Sequence, residues 1–310
     1  MRSLVIFTDA TEFGDDLIAI AMLATAPGLR VEAVVATPGN VWAEQAAQNA
    51  RVLLTKLRRE DVRVCVGMAY SEFKEQPSAF IHELGSEPAP YYSGAFALGV
   101  PEASREMTEV GELFSIIASA DRPDLLVIGP CSAVARLVTT YPNLAEHVGR
   151  VYLMGGLIAG AGNTTRVAEF NFWFDPEAAD RLLASNVPIT LLPLDPTRGV
   201  DYPASFRTDF KVGDPGAEHL NECLARRPLR PVCDELLAAV VLDQSVVAER
   251  RRLAVAVETI PGPRYGAMRL LDDDSRRPVD VIEKVDLAKF WNLMHRVFAQ
   301  PDSAKARVHD

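Results

Sequence analysis

Short runs of aliphatic and β-branched residues alternate with longer amphipathic stretches over the first 200 residues of this 310-residue chain. The apolar runs lie at 4–8, 31–37, 62–66, 124–129, 150–155 and 188–193, and several are separated by stretches with helical periodicity such as 43–57 and 176–184. Apolar strands separated by helices are typical of parallel βαβ units with helices on both faces of a sheet. The chain is therefore predicted to be an α/β protein with an open, mostly parallel, doubly wound (Rossmann-like) sheet.

The remainder of the chain changes this pattern twice. Residues 67–105 are long, proline-rich and aromatic, and such a loop is usually functional or disordered. Residues 215–250 are predicted to be more helical, with short strands at 253–259, 267–271 and 279–285 and a closing helix at 286–298. Because neither repeats nor an obvious linker interrupt the sequence, we expect a single domain over residues 1–310 with a more helical C-terminal third.

Composition excludes several classes of function. The formal net charge of −10 argues against binding to nucleic acid phosphates or anionic lipid. The four cysteines form no CxxC pair, which indicates free thiols in a reducing compartment. The N-terminal apolar stretch is too short for a signal peptide, and no run has the length of a membrane span. A cytoplasmic protein that handles a small molecule is the expectation.

Four acidic residues are crowded into eight positions directly after the first predicted strand. Asp9, Glu12, Asp15 and Asp16 repel one another unless a positive charge lies among them. A solvated loop with a helix-capping aspartate is one interpretation, and a metal site is the other.

Polar residues also follow the other predicted strands, at the edge where open α/β sheets bind ligands. Asn40 ends TPGN after the second strand, GPCSA follows the fourth, and GNTTRVAEFNFWFDPEA follows the fifth. This coincidence favours the metal site. Carboxylates, an amide and backbone carbonyls, without paired His or Cys, are ligands that suit Ca²⁺ or Mg²⁺ rather than zinc.

The sequence resembles the purine/pyrimidine (inosine-uridine preferring) nucleoside hydrolases over nearly its whole length. Eight blocks occur in the family's order: TDATEFGDD, VVATPGN with AEQAAQNA, VIGPCSAVARL, VYLMGG, GNTTRVAEFNFWFDPEAA, LLPLDPTR, CDELLAAVVLD and VDLAKFWNL. The resemblance implies an enzyme that hydrolyses ribonucleosides to ribose and free base, uses Ca²⁺ and forms a homo-oligomer (dimer or tetramer).

The first block admits two alignments. The family's first motif is commonly DTDPGxDD, with a longer form DTDxGxDxDD, and the longer form keeps Thr8 and Asp9 at the strand end. The gap-free alignment to the short form places Thr11 at the position of the catalytic aspartate, which would leave an inactive protein. Phe7 replaces the family's first aspartate in either alignment.

The longer alignment implies a role for each matching residue. Asp9, Asp16 and Asp234 would bind Ca²⁺ with the backbone carbonyl of Ser132, where the family has Thr, and Asp9 would take a proton from a calcium-bound water. The ribose would be held by Asp15, Asn40, Met154, Asn163, Glu169 and Asn171, with Asn163 and Glu169 near the 5′-hydroxyl. Anionic residues around the sugar suit the chemistry, because cleavage passes through an oxocarbenium-like ribose.

The chain departs from the family where the leaving base is protonated. Cys233 stands where well-studied members have His, as in a cysteine-bearing subgroup, and a thiol is a poorer acid than imidazolium. His82, Tyr91 and Tyr92 in the long loop are candidates to assist, since such loops close over ligands and aromatic rings stack on bases. An unusual riboside, such as a modified nucleoside or nicotinamide riboside, is a variant of this hypothesis. A non-catalytic ribose or nucleoside sensor or scaffold is the alternative from another class.

Overall fold

The computed structural model describes residues 1–68, 108–203, 206, 213–226, 232–273 and 275–298. Most of the long loop at 67–105, with His82, Tyr91 and Tyr92, lies outside the described residues. The roles predicted for those three side chains therefore stay predictions.

The described residues form one nine-stranded sheet with the order β3-β2-β1-β4-β5-β6-β9-β7-β8. Its strands are β1 Arg2–Thr8, β2 Leu29–Ala36, β3 Arg63–Val66, β4 Asp124–Val127, β5 Val151–Met154, β6 Ile189–Leu192, β7 Val247–Val257, β8 Met268–Leu271 and β9 Val279–Val285. The first six strands and β9 pair in parallel, whereas β7 pairs antiparallel with both β9 and β8. The predicted open, mostly parallel α/β sheet is confirmed.

Helices cover both faces of this sheet. Within the described residues they are α1 Asp15–Ala24, α2 Ala43–Lys56, α3 Val110–Ser119, α4 Ser132–Thr140, α5 Leu144–His147, α6 Phe170–Phe174, α7 Pro176–Leu183, α8 Pro215–Arg226, α9 Asp234–Leu242 and α10 Leu287–Phe298. The side chains of β1 alternate between two separate hydrophobic clusters. Leu4 and Ile6 pack with α1, α9 and α10, and Val5 and Phe7 pack with α4 and α7. The three-layer architecture follows from this alternation, since successive strand residues face opposite sides.

The predicted end of one helical region was wrong. Residues 247–250 were predicted to end a helical region, but β7 already begins at Val247. Its first half, VAERRR, lacks an apolar pattern because it is largely exposed, and its charges pair across the sheet. Arg251 Nη2 lies 2.9 Å from Glu283 Oε1, and Lys284 Nζ lies 2.7 Å from Glu249 Oε1. Cross-strand pairing rather than burial therefore defines this part of the strand.

The topology places a switch point between β1 and β4. The chain proceeds outwards from β1 through β2 to β3, and then returns to β4 on the other side of β1. Loops that leave adjacent strands in opposite directions open a crevice at the carboxyl ends. Asp9 follows β1 and Ser132 begins the helix after β4, so two predicted site residues flank this crevice. No helix in the described part of the chain is long and apolar enough to cross a membrane.

Candidate active site

Three aspartates meet at the carboxyl edge of the sheet. Asp15 and Asp16 form the first turn of α1, and Asp234 is the first residue of α9. One carboxylate oxygen of each lies within 4.8 Å of the others. Helices α1 and α9 pack against each other in the same hydrophobic cluster, which brings two helix N-termini to one point. Helix N-termini stabilise negative charge, so the fold offsets part of the repulsion among these acids.

Asp9 lies beside this cluster and is completely buried. Its Oδ2 accepts a hydrogen bond from the backbone amide of Asn40 at 2.6 Å, and its Oδ1 has no hydrogen-bond partner among the described residues. Two glycines leave room for the Asp9 side chain. A Cβ at Gly39 would overlap Asp9 Oδ2, and one at Gly129 would lie 2.8 Å from Asp9 Oδ1. A buried carboxylate oxygen without a partner is costly and indicates a missing ligand.

Burial and mutual repulsion raise the pKa values of these acids. Burial raises the pKa of Asp9 to about 7, although the Asn40 amide lowers it. The pKa of Asp16 is raised by burial and by the charge of Asp9, while the hydroxyl of Thr8, 2.5 Å from Asp16 Oδ1, favours the charged form. Burial and the charges of Asp15 and Asp16 raise the pKa of Asp234. A cation among them would reverse these shifts.

The donor set fits a hard divalent cation. Each of the clustered side chains is a carboxylate, and no residue in the described part of the chain donates to Asp9 Oδ1. Ser132 is buried at the first position of α4, and its hydroxyl donates to Asp175 Oδ2 at 2.5 Å. This bond uses the hydroxyl proton of Ser132, and the role predicted for the residue belongs to its backbone carbonyl. Asp175 also caps α7 through the Ala178 amide, which agrees with a structural role for this residue.

The three clustered acids are not the same three that the resemblance assigned to the cation. Asp15 was predicted to hold ribose, but it lies within the cluster formed with Asp16 and Asp234. Asp9, predicted as a ligand, lies outside that cluster, close enough for its charge to act on Asp16 and Asp234. Glu12 is exposed and Thr11 is half-buried, whereas Asp9 has no exposed surface.

The residues predicted to line the ribose pocket lie on one loop and the strand before it. We call residues 155–169, which connect β5 to α6, the ribose loop. Glu169 closes it, because its Oε1 accepts the Asn171 amide at 2.8 Å and its Oε2 accepts the Gly156 amide at 2.8 Å. Asn163 Oδ1 accepts the Phe170 amide at 2.9 Å. Burial raises the pKa of Glu169 to about 7 in spite of the hydrogen bonds from backbone amides.

Asn171 connects the ribose loop to the sheet. Its side-chain nitrogen donates to the carbonyls of Ile128, at 3.4 Å, and Met154, at 3.3 Å. Glu169, Asn171 and Met154 are all at least 95% buried, whereas Asn163 is exposed. Glu169 and Asn171 are therefore not the surface polar residues that a solvated loop would carry.

Cys233 is partly buried at the residue before α9. Its thiol donates to the hydroxyl of Thr197 at a sulfur–oxygen distance of 3.5 Å. Burial and the nearby Asp15 charge raise the pKa of this thiol. Cys233 is therefore protonated at neutral pH and holds its proton tightly, unlike the imidazole that it replaces.

Sequence reasoning missed two features beside this site. The phenol of Tyr202 donates to Glu235 Oε1 at 2.8 Å, and both residues are buried next to Asp234. Asp195 accepts hydrogen bonds from two amides of the ribose loop. Glu235 directly follows a predicted ligand and Asp195 lies in LLPLDPTR, but neither signal separates them from helix-capping residues.

Buried carboxylates and amides at the switch point of a parallel sheet define an α/β protein that binds a small polar ligand at the carboxyl ends of its strands. Comparison with known proteins gives the particular family. Residues 4–292 match the family model described as inosine-uridine preferring nucleoside hydrolase, and the chain belongs to this family. The predicted membership is confirmed, and with it the prediction of an enzyme of the ribonucleoside N-glycosidase class.

Similar sequences agree with this assignment. The chain is 30% identical over 229 residues to a pyrimidine-specific ribonucleoside hydrolase RihA of Escherichia coli O9:H4, which covers 72% of this chain and 70% of that protein. A Klebsiella pneumoniae protein of the same name is 31% identical over 227 residues, with coverage of 72% and 70%.

Solved structures share the fold. A purine-preferring ribonucleoside hydrolase from Gardnerella vaginalis superposes with a TM-score of 0.75 at 23% identity, covering 96% of this chain and 98% of that chain. An inosine-uridine preferring nucleoside hydrolase from Bacillus anthracis gives a TM-score of 0.74 at 23% identity, with coverage of 96% and 99%.

Proposed function

We propose that this chain hydrolyses the N-glycosidic bond of ribonucleosides with Asp9 as the general base and with a bound Ca²⁺. The observation that carries the proposal is the buried Oδ1 of Asp9, to which no described residue donates, beside the cluster of Asp15, Asp16 and Asp234. Asp9, Asp16, Asp234 and the carbonyl of Ser132 would hold the cation. When bound, the cation supplies positive charge that keeps these acids ionised and lowers the pKa of water.

Asp9 has the geometry of a general base. The Asn40 amide fixes one of its oxygens at 2.6 Å, and no described residue donates to the other, which is left to accept a proton. A bound cation would keep this carboxylate ionised, which is the form that takes a proton. Asp9 would therefore take the proton from the water that attacks C1′ of the ribose.

The remaining residues would stabilise the sugar. Asp15 and Asn40 would hold ribose hydroxyls on one side, and Met154, Asn163, Glu169 and Asn171 would line the other. Cleavage places positive charge on the ribose ring, so the surrounding carboxylates bind the transition state more tightly than the neutral substrate.

The leaving base receives little help from Cys233. Its thiol donates to Thr197, and its raised pKa makes it a weak acid. Ribosides whose base leaves readily without protonation should therefore be better substrates. Nicotinamide riboside and modified nucleosides belong to this group, because their leaving groups are activated by charge or substitution.

A panel assay tests the proposal. Purified protein with CaCl₂ is incubated with purine and pyrimidine ribonucleosides and with nicotinamide riboside, and release of reducing sugar is measured. We expect turnover of at least one substrate by the wild type and its loss in Asp9→Asn. Asp272→Asn, which changes an exposed aspartate, is the matched control. Tight ribose binding without turnover of any substrate would replace this proposal with the sensor or scaffold hypothesis.

The single domain over residues 1–310, the homo-oligomer and the cytoplasmic location stay predictions. Size-exclusion chromatography with light scattering measures the number of subunits directly.

A further inference from the structure

The residues that follow β6 form a short turn that contacts both sides of the candidate site. We define the β6 turn as residues 194–198, which include the 3₁₀ segment Asp195–Thr197. The backbone amide of Leu194, in this turn, donates to the carbonyl of Gly156 at 2.9 Å. The turn therefore packs against the start of the ribose loop.

Asp195 uses both carboxylate oxygens to hold this loop. Its Oδ2 accepts the backbone amide of Ile158 at 2.8 Å, and its Oδ1 accepts the backbone amide of Ala159 at 2.7 Å. Hydrogen bonds to an ionised acceptor are about twice as strong as those between neutral groups. Two such bonds to consecutive amides fix both the position and the direction of the loop backbone.

Arg198 adds a third connection further along. Its guanidinium donates to the carbonyl of Ala161, two residues before Asn163. From there the side chain of Asn163 binds the Phe170 amide, and Glu169 returns to the Gly156 amide. The outer part of the ribose loop is thus tied to the β6 turn, and its inner part presents Asn163 and Glu169.

We propose that Asp195 and Arg198 are positioning residues for the 5′ end of the ribose, acting through Asn163 and Glu169. This inference rests on the proposed function for the identity of the ligand. The loop has no regular secondary structure between β5 and α6, so its backbone amides bind side chains and other loop residues instead. Asp195 binds two of these amides from a turn that begins two residues after the buried strand β6, which is a rigid support.

Hydrogen exchange tests the contact itself without substrate. In Asp195→Asn one oxygen becomes an amide nitrogen, which cannot accept from a backbone N–H. The remaining oxygen can still accept one of the two amides, so we expect at least one of Ile158 and Ala159 to exchange at least about tenfold faster than in the wild type. Asp201→Asn, the same change at an exposed aspartate, should leave both rates unaltered. Unchanged exchange in Asp195→Asn would refute the proposal.

Kinetics with paired substrates test the role. We expect kcat/KM for a ribonucleoside to fall about 10- to 100-fold in Asp195→Asn, and to change less than about threefold for its 5′-deoxy analogue. A loss of the same size on both substrates would indicate a merely structural role and overturn the assignment.

A second variant covers the case in which Asp195→Asn does not fold. Arg198 is exposed, so Arg198→Ala should fold normally and show the same substrate pattern with a smaller loss, partly restored in Arg198→Lys. Equal activity of Arg198→Ala and the wild type on both substrates would count against the proposal. If the wild type turns over no ribonucleoside, the proposed function fails, and the exchange rates still decide whether Asp195 holds the loop.

Discussion

The backbone amide of Asn40 donates to Asp9 Oδ2 at 2.6 Å, and the other oxygen of Asp9 is buried with no partner among the residues that the structure describes. This one contact joins the ends of two adjacent parallel strands, β1 and β2. It orients a carboxylate whose pKa burial raises to about 7.

Asp9→Asn should lower kcat/KM by about 10²- to 10⁴-fold, the usual contribution of a general base. The amide keeps the size of the side chain and removes its ability to take a proton. Circular dichroism and the thermal midpoint should show a folded protein, since loss of a buried charge relieves repulsion with Asp16. Activity within tenfold of the wild type would rule out Asp9 as the base.

Gly39→Ala should disturb Asp9 without replacing any titratable residue. The added methyl would overlap Asp9 Oδ2, and the side chain can respond only by leaving the Asn40 amide. We expect at least about a tenfold loss of kcat/KM, because displacement of a catalytic group by 1 Å is costly. Gly111→Ala, in the first turn of α3, is the control, since its methyl would lie 3.3 Å from the Tyr141 hydroxyl and far from Asp9 in the fold.

The stability of the metal-free protein should fall as pH rises. Asp9 and Glu169 have pKa values of about 7 in the folded chain, above their ordinary values of 3.8 and 4.5. Between about pH 4 and pH 7 the folded state therefore binds more protons than the unfolded state, so the free energy of unfolding decreases with pH. Thermal melts in EDTA measure this slope. A melting temperature that rises over this interval would contradict the raised pKa values.

Calcium should stabilise the wild type more at pH 8 than at pH 5, because ligands must be deprotonated to bind a cation. Asp234→Asn and Asp16→Asn should abolish this thermal shift, and Asp272→Asn should preserve it. Isothermal titration with CaCl₂ and MgCl₂ then shows which cation the site prefers. Equal shifts in wild type and Asp234→Asn would place the cation elsewhere.

Cys233→His should improve turnover of nucleosides with poor leaving groups. Imidazolium is a stronger acid than the thiol, whose pKa burial raises further. We expect a rise of at least about fivefold in kcat for inosine, and little change for p-nitrophenyl riboside, whose leaving group needs no proton. Cys233→Ser is the size-matched control. A gain of the same size on both substrates would point to repacking around Thr197 rather than to acid catalysis.

Much of the fold follows from local sequence. The apolar runs that became β1, β2 and β4 are buried on both faces, and such strands with intervening helices have few other arrangements. The placement of Asp9, Asn40 and Ser132 at strand ends was equally visible, because the boundary between an apolar run and polar residues is a local feature. The start of strand β7 could not be predicted from a local pattern, since its charged first half is stabilised by pairing with β9.

The sequence by itself determined an α/β sheet with acids at its carboxyl edge, because strand and helix periodicities and the residues that interrupt them are local properties. The family resemblance assigned Asp16 and Asp234 to one cation, but only the tertiary structure decided which acids lie within reach of one another. Asp15 joined Asp16 and Asp234, although the latter pair is separated by more than two hundred residues, because α1 and α9 pack in one hydrophobic cluster. The same holds for Asp195 and the ribose loop, since hydrogen bonds between distant segments depend on packing that no local pattern encodes.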